Sequence, residues 1–402
     1  MKLLLNLLLA VIAILLITGC PAEPQLPEVT TLYTAGYVYS EASNTNIARV
    51  WKNGIPEDLT DGTYNAAANS VYVSGTDVYV SGYETKDTDN DGSVQEARYW
   101  KNGTEVILGG GTTHSDAYSI FVDGSDVYVS GYEGDTQQAR YWKNGTSVLL
   151  GTGNSYAAAR SIFVTSTCIY IAGHEYGNPD GDTSSCDIAK YWKIDKETEA
   201  IEEVILNSDP NQSAIATSIF VDDSDVYISG YEAADPDGDT AFLETAKLWK
   251  VDSTGTKTID LVLSKSGKKS YGNGIFVSGS EIYIAGYEYE DTDSDGSADT
   301  NVAKSWTIDS SGIVTETTNL SDGTSNTIAN SIFVDGGDIH IVGTTDSYDS
   351  TTSTSTSTIE YTAQYWKNGT ENDLNKHLAP PRPSVSIADG SEGMKSIFVV
   401  TE

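Results

Sequence analysis

The sequence predicts an all-β chain in which seven copies of a four-stranded antiparallel unit close into a ring. Three observations carry this expectation. All seven tryptophans fall in one motif: VWKNG at Trp51, YWKNG at Trp100, Trp142 and Trp366, YWKID at Trp192, LWKVD at Trp249 and SWTID at Trp306. A fifteen-residue stretch, typified by SIFVDGSDVYVSGYE, interleaves with them and is complete at 70–84, 119–133, 161–175, 218–232, 274–288 and 331–345. A seventh copy is divided between the chain ends, its first half in SIFVVTE (396–402) and its second in TTLYTAGYV (30–38). Self-similarity at this period marks a repeat architecture. A copy split between two ends suits a ring that must close, whereas an open stack would carry atypical caps.

Each strand of the unit can be justified in turn. IFV and VYVSGY are β-branched and aromatic runs separated by a Gly/Asp/Ser turn, so the stretch reads as two paired strands. The third strand carries the tryptophan. Asn-Gly after it, at Asn102-Gly103 and Asn144-Gly145, signals a type I′ hairpin, leading into a short fourth strand such as VILG (106–109) or VLLG (148–151). Runs such as IFV are apolar on both faces, as strands sandwiched between neighbours should be, and a two-layer sandwich would alternate more cleanly. Four antiparallel strands recurring at this spacing describe the blade of a β-propeller. The expectation is a single seven-bladed β-propeller over residues 31–402, its first blade closed by the C-terminal strand; an eight-bladed ring and a solenoid are the alternatives.

The N-terminus, MKLLLNLLLAVIAILLITGC, is a targeting segment and not part of the fold. Ile17-Thr18-Gly19-Cys20 resembles the lipobox of bacterial lipoproteins. The resemblance implies a signal peptide over 1–19, lipidation of Cys20, and a Pro-rich tether over 20–30. An uncleaved anchor is the competing reading, but its roughly 16 apolar residues fall short of the ~20 a membrane span needs. Each buried acyl methylene contributes ~0.8 kcal/mol, so a multiply acylated terminus stays on its membrane. Pro21 is not the Asp that this family associates with inner-membrane retention, which favours the outer membrane or cell surface. With its repeats, the chain resembles bacterial propeller-repeat lipoproteins, a likeness that implies fold and location but no activity. Of the other cysteines, Cys168 opens one strand and Cys186 precedes the next, at opposite ends of a hairpin, so two free thiols are expected.

The formal charge of −35 argues against nucleic-acid binding, which needs Lys and Arg to displace counterions. It suits cation binding, a basic partner, or solubility alone. Five copies of the stretch end in glutamate, at Glu84, Glu133, Glu175, Glu232 and Glu288. Two residues before the tryptophan of the same blades stand Arg98, Arg140, Lys190, Lys247 and Lys304, and the last blade has Thr345 and Gln364 instead. Co-occurrence of acid and base on neighbouring strands predicts structural cross-strand ion pairs.

The loops after those glutamates suggest a second chemistry. Asp87, Asp89 and Asp91 precede Gly92, and Asp291, Asp293 and Asp295 precede Gly296, with Asp299 beyond. Alternating carboxylates before a glycine offer hard oxygen ligands to Ca²⁺. Asp180 and Asp182, and Asp235, Asp237 and Asp239, are weaker relatives. Arg98 and Val302 stand where an EF-hand has its bidentate Glu, so these are not EF-hands. They resemble the shorter DxDxDG loops of exported repeat proteins, and a bound Ca²⁺ would order the loops. A solvated acidic turn is the plainer reading.

No catalytic signature accompanies these features. His114, His174, His340 and His377 form no metal spacing, and His174 and His340 replace tyrosines of other blades, as packing residues would. The sequence contains no nucleophile elbow or phosphate loop. The functional expectation is a monomeric, membrane-tethered, extracytoplasmic propeller that binds a protein or glycan without catalysis. The alternative is an exported polysaccharide lyase or glycoside hydrolase with its site in the funnel.

Overall fold

The computed structural model describes residues 30–86, 94–151, 153, 155–177, 186–207, 209, 212–234, 243–264, 268–291, 300–348, 359–372 and 392–401. The chain divides into two compact units. One comprises residues 1–30 with 401–402, of which only Thr30 and Thr401 are described; the other spans Thr31–Val400. Cys20 and the N-terminal segment lie outside the described residues.

The larger unit is all-β among the described residues, with seven four-stranded antiparallel sheets arranged as blades in a ring. Blade two shows the pattern: inner strand Ala66–Ser74, second strand Asp77–Lys86, third strand Val94–Lys101, outer strand Thr104–Ile107. Blades three to six repeat it, starting from the inner strands Ser115–Asp123, Ala157–Val164, Ala214–Asp222 and Ser270–Ser278, and blade seven starts from Thr327–Asp335. Blade one takes its inner strand, Glu392–Thr401, from the C-terminus and the others, Thr30–Ser40, Thr45–Lys52 and Ile55–Asp58, from the N-terminus. The divided copy therefore closes the ring.

The tryptophan motif is explained residue by residue. Trp100, Trp142, Trp192, Trp249, Trp306 and Trp366 are almost wholly buried. Each sits in the interface with the preceding blade: Trp192 packs with Tyr128 and Tyr141, and Trp249 with Tyr170 and Tyr191. Seven apolar clusters, one per interface, form the core, and that between blades seven and one joins Val342 and Tyr365 to Leu32, Met394, Ile397 and Val399. In blades two, three, five and seven the lysine after the tryptophan pairs with the aspartate opening the second strand, as Lys101 does with Asp77 at 2.8 Å. Asn102 and Gly103 have φ of 49° and 74°, the left-handed pair a type I′ turn requires. The Asn102 side chain accepts from the Val78 backbone N–H at 2.9 Å and donates to Asp77, tying the outer hairpin to the inner one.

Two features were not legible beforehand. Outer strands begin directly after the turn, at Thr104 and Thr146, because Leu108 and Leu150 turn inward and are buried; VILG and VLLG therefore straddle the strand ends. Around the central axis, Tyr72, Phe121, Phe163, Phe220, Phe276, Phe333 and Phe398 form an unbroken girdle with successive centroids 4.7–5.1 Å apart. Tilted rings at that spacing attract beyond their buried area, so the girdle ties the inner strands of all seven blades to one another.

Cys168 pairs across to Asp195 and Cys186 to Gly177, at opposite ends of one hairpin, and no disulfide joins them.

Candidate functional site: blade braces and the funnel mouth

The recurring glycine of the second strand organises both features of the site. A Cβ on Gly82, Gly131, Gly173, Gly230, Gly286 or Gly343 would collide with a carbonyl oxygen of the inner strand. Beside each collision point the inner strand slips register by one residue, between Ala68 and Ser70 in blade two and at the same place in blades three to seven. Across the other edge, the glycine stands opposite the third-strand cation, Gly82 against Arg98 and Gly286 against Lys304. The cation is thereby a diagonal neighbour of the glutamate two residues beyond, on the same face.

All five of these acid–base pairs form. Arg98 lies 2.9 Å from Glu84, Arg140 3.0 Å from Glu133, Lys190 2.6 Å from Glu175, Lys247 2.8 Å from Glu232, and Lys304 2.6 Å from Glu288. Four are more elaborate than simple pairs. Fully buried Arg98 also holds Glu96 at 2.7 Å and the outer-strand Glu105 at 2.6 Å. Lys190 adds Glu203, Lys247 adds Asp260, and Lys304 adds Glu290. Burial opposes the Lys304 charge, but Glu288 and Glu290 outweigh it and hold the ammonium above its ordinary range. Blade one makes a reduced version, Arg49 to Asp58 at 2.5 Å. The outer-strand acids Glu105, Glu203 and Asp260, beyond the tryptophans of blades two, four and five, were the missed signal.

In blades two to seven the inner-strand bulge sets one residue apart, Asn69, Tyr118, Arg160, Thr217, Asn273 and Asn330 in turn, and Lys395 stands at the matching sequence position of blade one. Four have structural roles. Asn69, Thr217, Asn273 and Asn330 donate to backbone carbonyls of the following blade, at Ala117, Gly272, Ala329 and Met394. Lys395, Tyr118 and Arg160 depart from that scheme and lie on one side of the mouth. The Arg160 guanidinium stands 5.8 Å over the Tyr118 ring and donates to His174 Nδ1 at 3.4 Å. Lys395 Nζ stands 5.9 Å over Tyr37.

Between them lies Asp116, where other blades have Ala, Ile, Tyr or Gly. It is 7% exposed and accepts from Asn69 at 2.8 Å and Gln95 at 3.0 Å. Burial pushes its carboxyl up to about 7, against the hydrogen bonds of Ala117, Asn69 and Gln95 and the charge of Lys395. Lys395 is accessible to water yet enclosed by protein, and that enclosure lowers its pKa, with Asp116 opposing. Burial, with the Arg160 charge, pushes His174 down to about 3, leaving it neutral at physiological pH. His340 is buried too, with Nδ1 2.8 Å from the Tyr365 hydroxyl. Both histidines are packing residues. The position immediately before S-I-F-V, variable inside an otherwise constant repeat, was the sequence signal for this group.

Of the Ca²⁺ candidates only Asp291 is described; Asp87, Asp89, Asp91, Asp180, Asp182, Asp235, Asp237, Asp239, Asp293, Asp295 and Asp299 lie outside the described residues. Among the described residues, no three His, Cys, Asp or Glu side chains are grouped to hold a metal.

Comparison with known proteins yields similarity to solved structures alone: no protein-family model and no curated protein matches the chain. A post-proline cleaving enzyme from Rickettsia typhi aligns at TM-score 0.46 and 10% identity over 86% of this chain and 52% of that one. The chain thus spans about half the length of that enzyme. A subtype N11 neuraminidase-like protein of A/flat-faced bat/Peru/033/2010 (H18N11) aligns at TM-score 0.43 and 12% identity over 79% of this chain and 88% of that one. The β-propeller domain of the Trilobed protease from Pyrococcus furiosus aligns at TM-score 0.43 and 12% identity over 75% and 81%.

Replacing Arg98 with Met takes the counter-charge from buried Glu96 and leaves buried Glu84 only the longer contact with Lys86 at 3.3 Å, and should cost about 3–5 kcal/mol of unfolding free energy. Arg140→Met, at a partly exposed pair, should cost under about 1 kcal/mol. Denaturant titration of the two variants measures the contrast, and equal losses would contradict it.

Proposed function

We propose that the protein is a membrane-tethered, extracytoplasmic propeller that binds a polar ligand, a glycan in preference to a protein, at its funnel mouth without transforming it. One observation carries this reading: a nearly constant scaffold exposes one variable residue per blade, and the charged and aromatic ones gather on one side. Arg160 and Lys395 supply cations for acidic groups, Tyr118 and Tyr37 supply ring faces for sugar rings, and Asn69 and Gln95 fix the one carboxylate among them. Small-molecule sites of this form, a concavity with a few convergent polar groups, are common.

The lyase or glycosidase reading requires two carboxyl groups about 5–9.5 Å apart across the reacting bond. None of the six bulge residues is acidic, nor is Lys395 at the matching position, and both oxygens of Asp116 are engaged. The tether, the lipid on Cys20 and the outer-membrane or surface location rest on the lipobox-like sequence. Structural Ca²⁺ at Asp87, Asp89 and Asp91 and at Asp291, Asp293, Asp295 and Asp299 rests likewise on spacing.

A panel of neutral and uronate-containing oligosaccharides tests the ligand class. The protein should bind acidic members and release no cleavage products, and the Arg160→Ala/Lys395→Ala double variant should bind about tenfold more weakly. Unchanged binding by the variant would refute the site, and unsaturated or new reducing-end products would favour the enzyme. The Ca²⁺ expectation is checked separately by melting: Ca²⁺ should raise Tm relative to chelator, through mass action on the folded state, and an unchanged Tm with no metal by elemental analysis refutes it.

A further inference from the structure

Blade seven departs from its six neighbours at the brace itself. Blade six fills this space with Glu288 and Lys304, and Ser264 of the preceding connection donates to Glu288 at 3.0 Å. In blade seven the two brace positions carry Thr345 and Gln364, and Thr345 turns to the Thr327 hydroxyl at 3.0 Å. Two long charged side chains are thereby exchanged for short neutral ones. A cavity of about 500 Å³ lies there, lined by Thr345, Gln364, Trp366 and Glu371 on blade seven and by Ser321 and Asp322 on the connection from blade six. That volume lies within the ~300–1,000 Å³ usual for ligand sites.

The charges lining this cavity are negative. Glu371 pairs across to Trp366, as Glu105 does to Trp100, Glu203 to Trp192 and Asp260 to Trp249. In those three blades the outer-strand acid meets the brace cation. Glu371 makes no ion pair with a described residue, and Gln364 stands where the cation would be. Asp322 is ionised, because hydrogen bonds from the Thr324 backbone and hydroxyl hold its carboxyl below the ordinary range. The amide oxygen of Gln364 and the hydroxyls of Ser321 and Thr345 complete an acceptor-rich wall.

We propose that this cavity is a binding site for one basic group, an alkylammonium or a guanidinium, seated where the other six blades hold their own lysine or arginine. The group comes from a free amine or from a basic side chain of a polypeptide. The site is independent of the funnel mouth.

The test exploits the repeat. Restoring the brace with Thr345→Glu/Gln364→Lys fills the cavity with the blade's own side chains while leaving the formal charge at −35, since one charge of each sign is added. Calorimetric titration of the full chain with Nα-acetyl-lysine methylamide and with agmatine should give saturable one-site binding to the wild type. The restored variant should bind at least tenfold more weakly while melting at or above the wild-type temperature, which separates a filled site from a damaged fold. Glu371→Gln should weaken binding roughly threefold to tenfold, the range for a partly exposed charge-assisted contact, and Nε-acetylated lysine should not bind. Preference for the lysine derivative supports a polypeptide source, and preference for agmatine a free amine. Equal binding by wild type and restored variant would assign the effect to diffuse surface charge and overturn the proposal, as would no wild-type binding at millimolar ligand.

Discussion

The pairing of strand Glu392–Thr401 with the N-terminal strands of blade one is the constraint on which the ring depends. Every blade buries its faces against two neighbours, and the two interfaces of blade one stay incomplete until the C-terminal strand is in place. The closing cluster is built from residues far apart in sequence, Leu32 on one side and Met394, Ile397 and Val399 on the other, with Val342 and Tyr365 of blade seven between them. The aromatic girdle passes through the same point, since Phe398 lies 4.9 Å from Tyr72 and 5.0 Å from Phe333. Contacts of such sequence separation carry a large loop-closure entropy, offset only when the whole ring has formed.

Within that frame one small residue links the scaffold to the site. The second-strand glycine leaves no side chain to collide with the inner-strand carbonyl, the inner strand slips by one residue there, and the displaced residue reaches the mouth of the channel. Bulges re-aim side chains next to functional sites, and here the device is repeated around the ring. Four of the displaced residues donate to backbone carbonyls of the following blade, whereas Arg160 lies over the Tyr118 ring and Lys395 over that of Tyr37. The same glycine faces the brace cation across the next strand, so core, brace and mouth are coupled through backbone geometry.

The fold was legible because the repeat is strict: the WKNG motif, the turn glycines and the divided copy state the blade, its hairpin and its closure. The brace was half legible. Glu84 and Arg98 could be paired by their co-occurrence, but Glu105 could not, because the outer strand starts at Thr104, two residues before VILG, and so takes in Glu105. The mouth was not read at all. Asp116 looks like any surface aspartate, and only the register slip shows that its neighbour Tyr118 leaves the blade. Blade seven was marked as a deviant by Thr345 and Gln364, but a sequence cannot show that losing two side chains leaves a cavity.

Closure through the C-terminal strand should make all seven blades one cooperative unit, which thermal unfolding of a chain truncated after residue 391, beside the full chain, tests. The truncated chain should lose its single sharp transition and melt broadly or associate, because the blade-seven face and the inner edge of blade one are uncovered. A truncated chain that melts at the full-length temperature, with undiminished cooperativity and as a monomer, would contradict it.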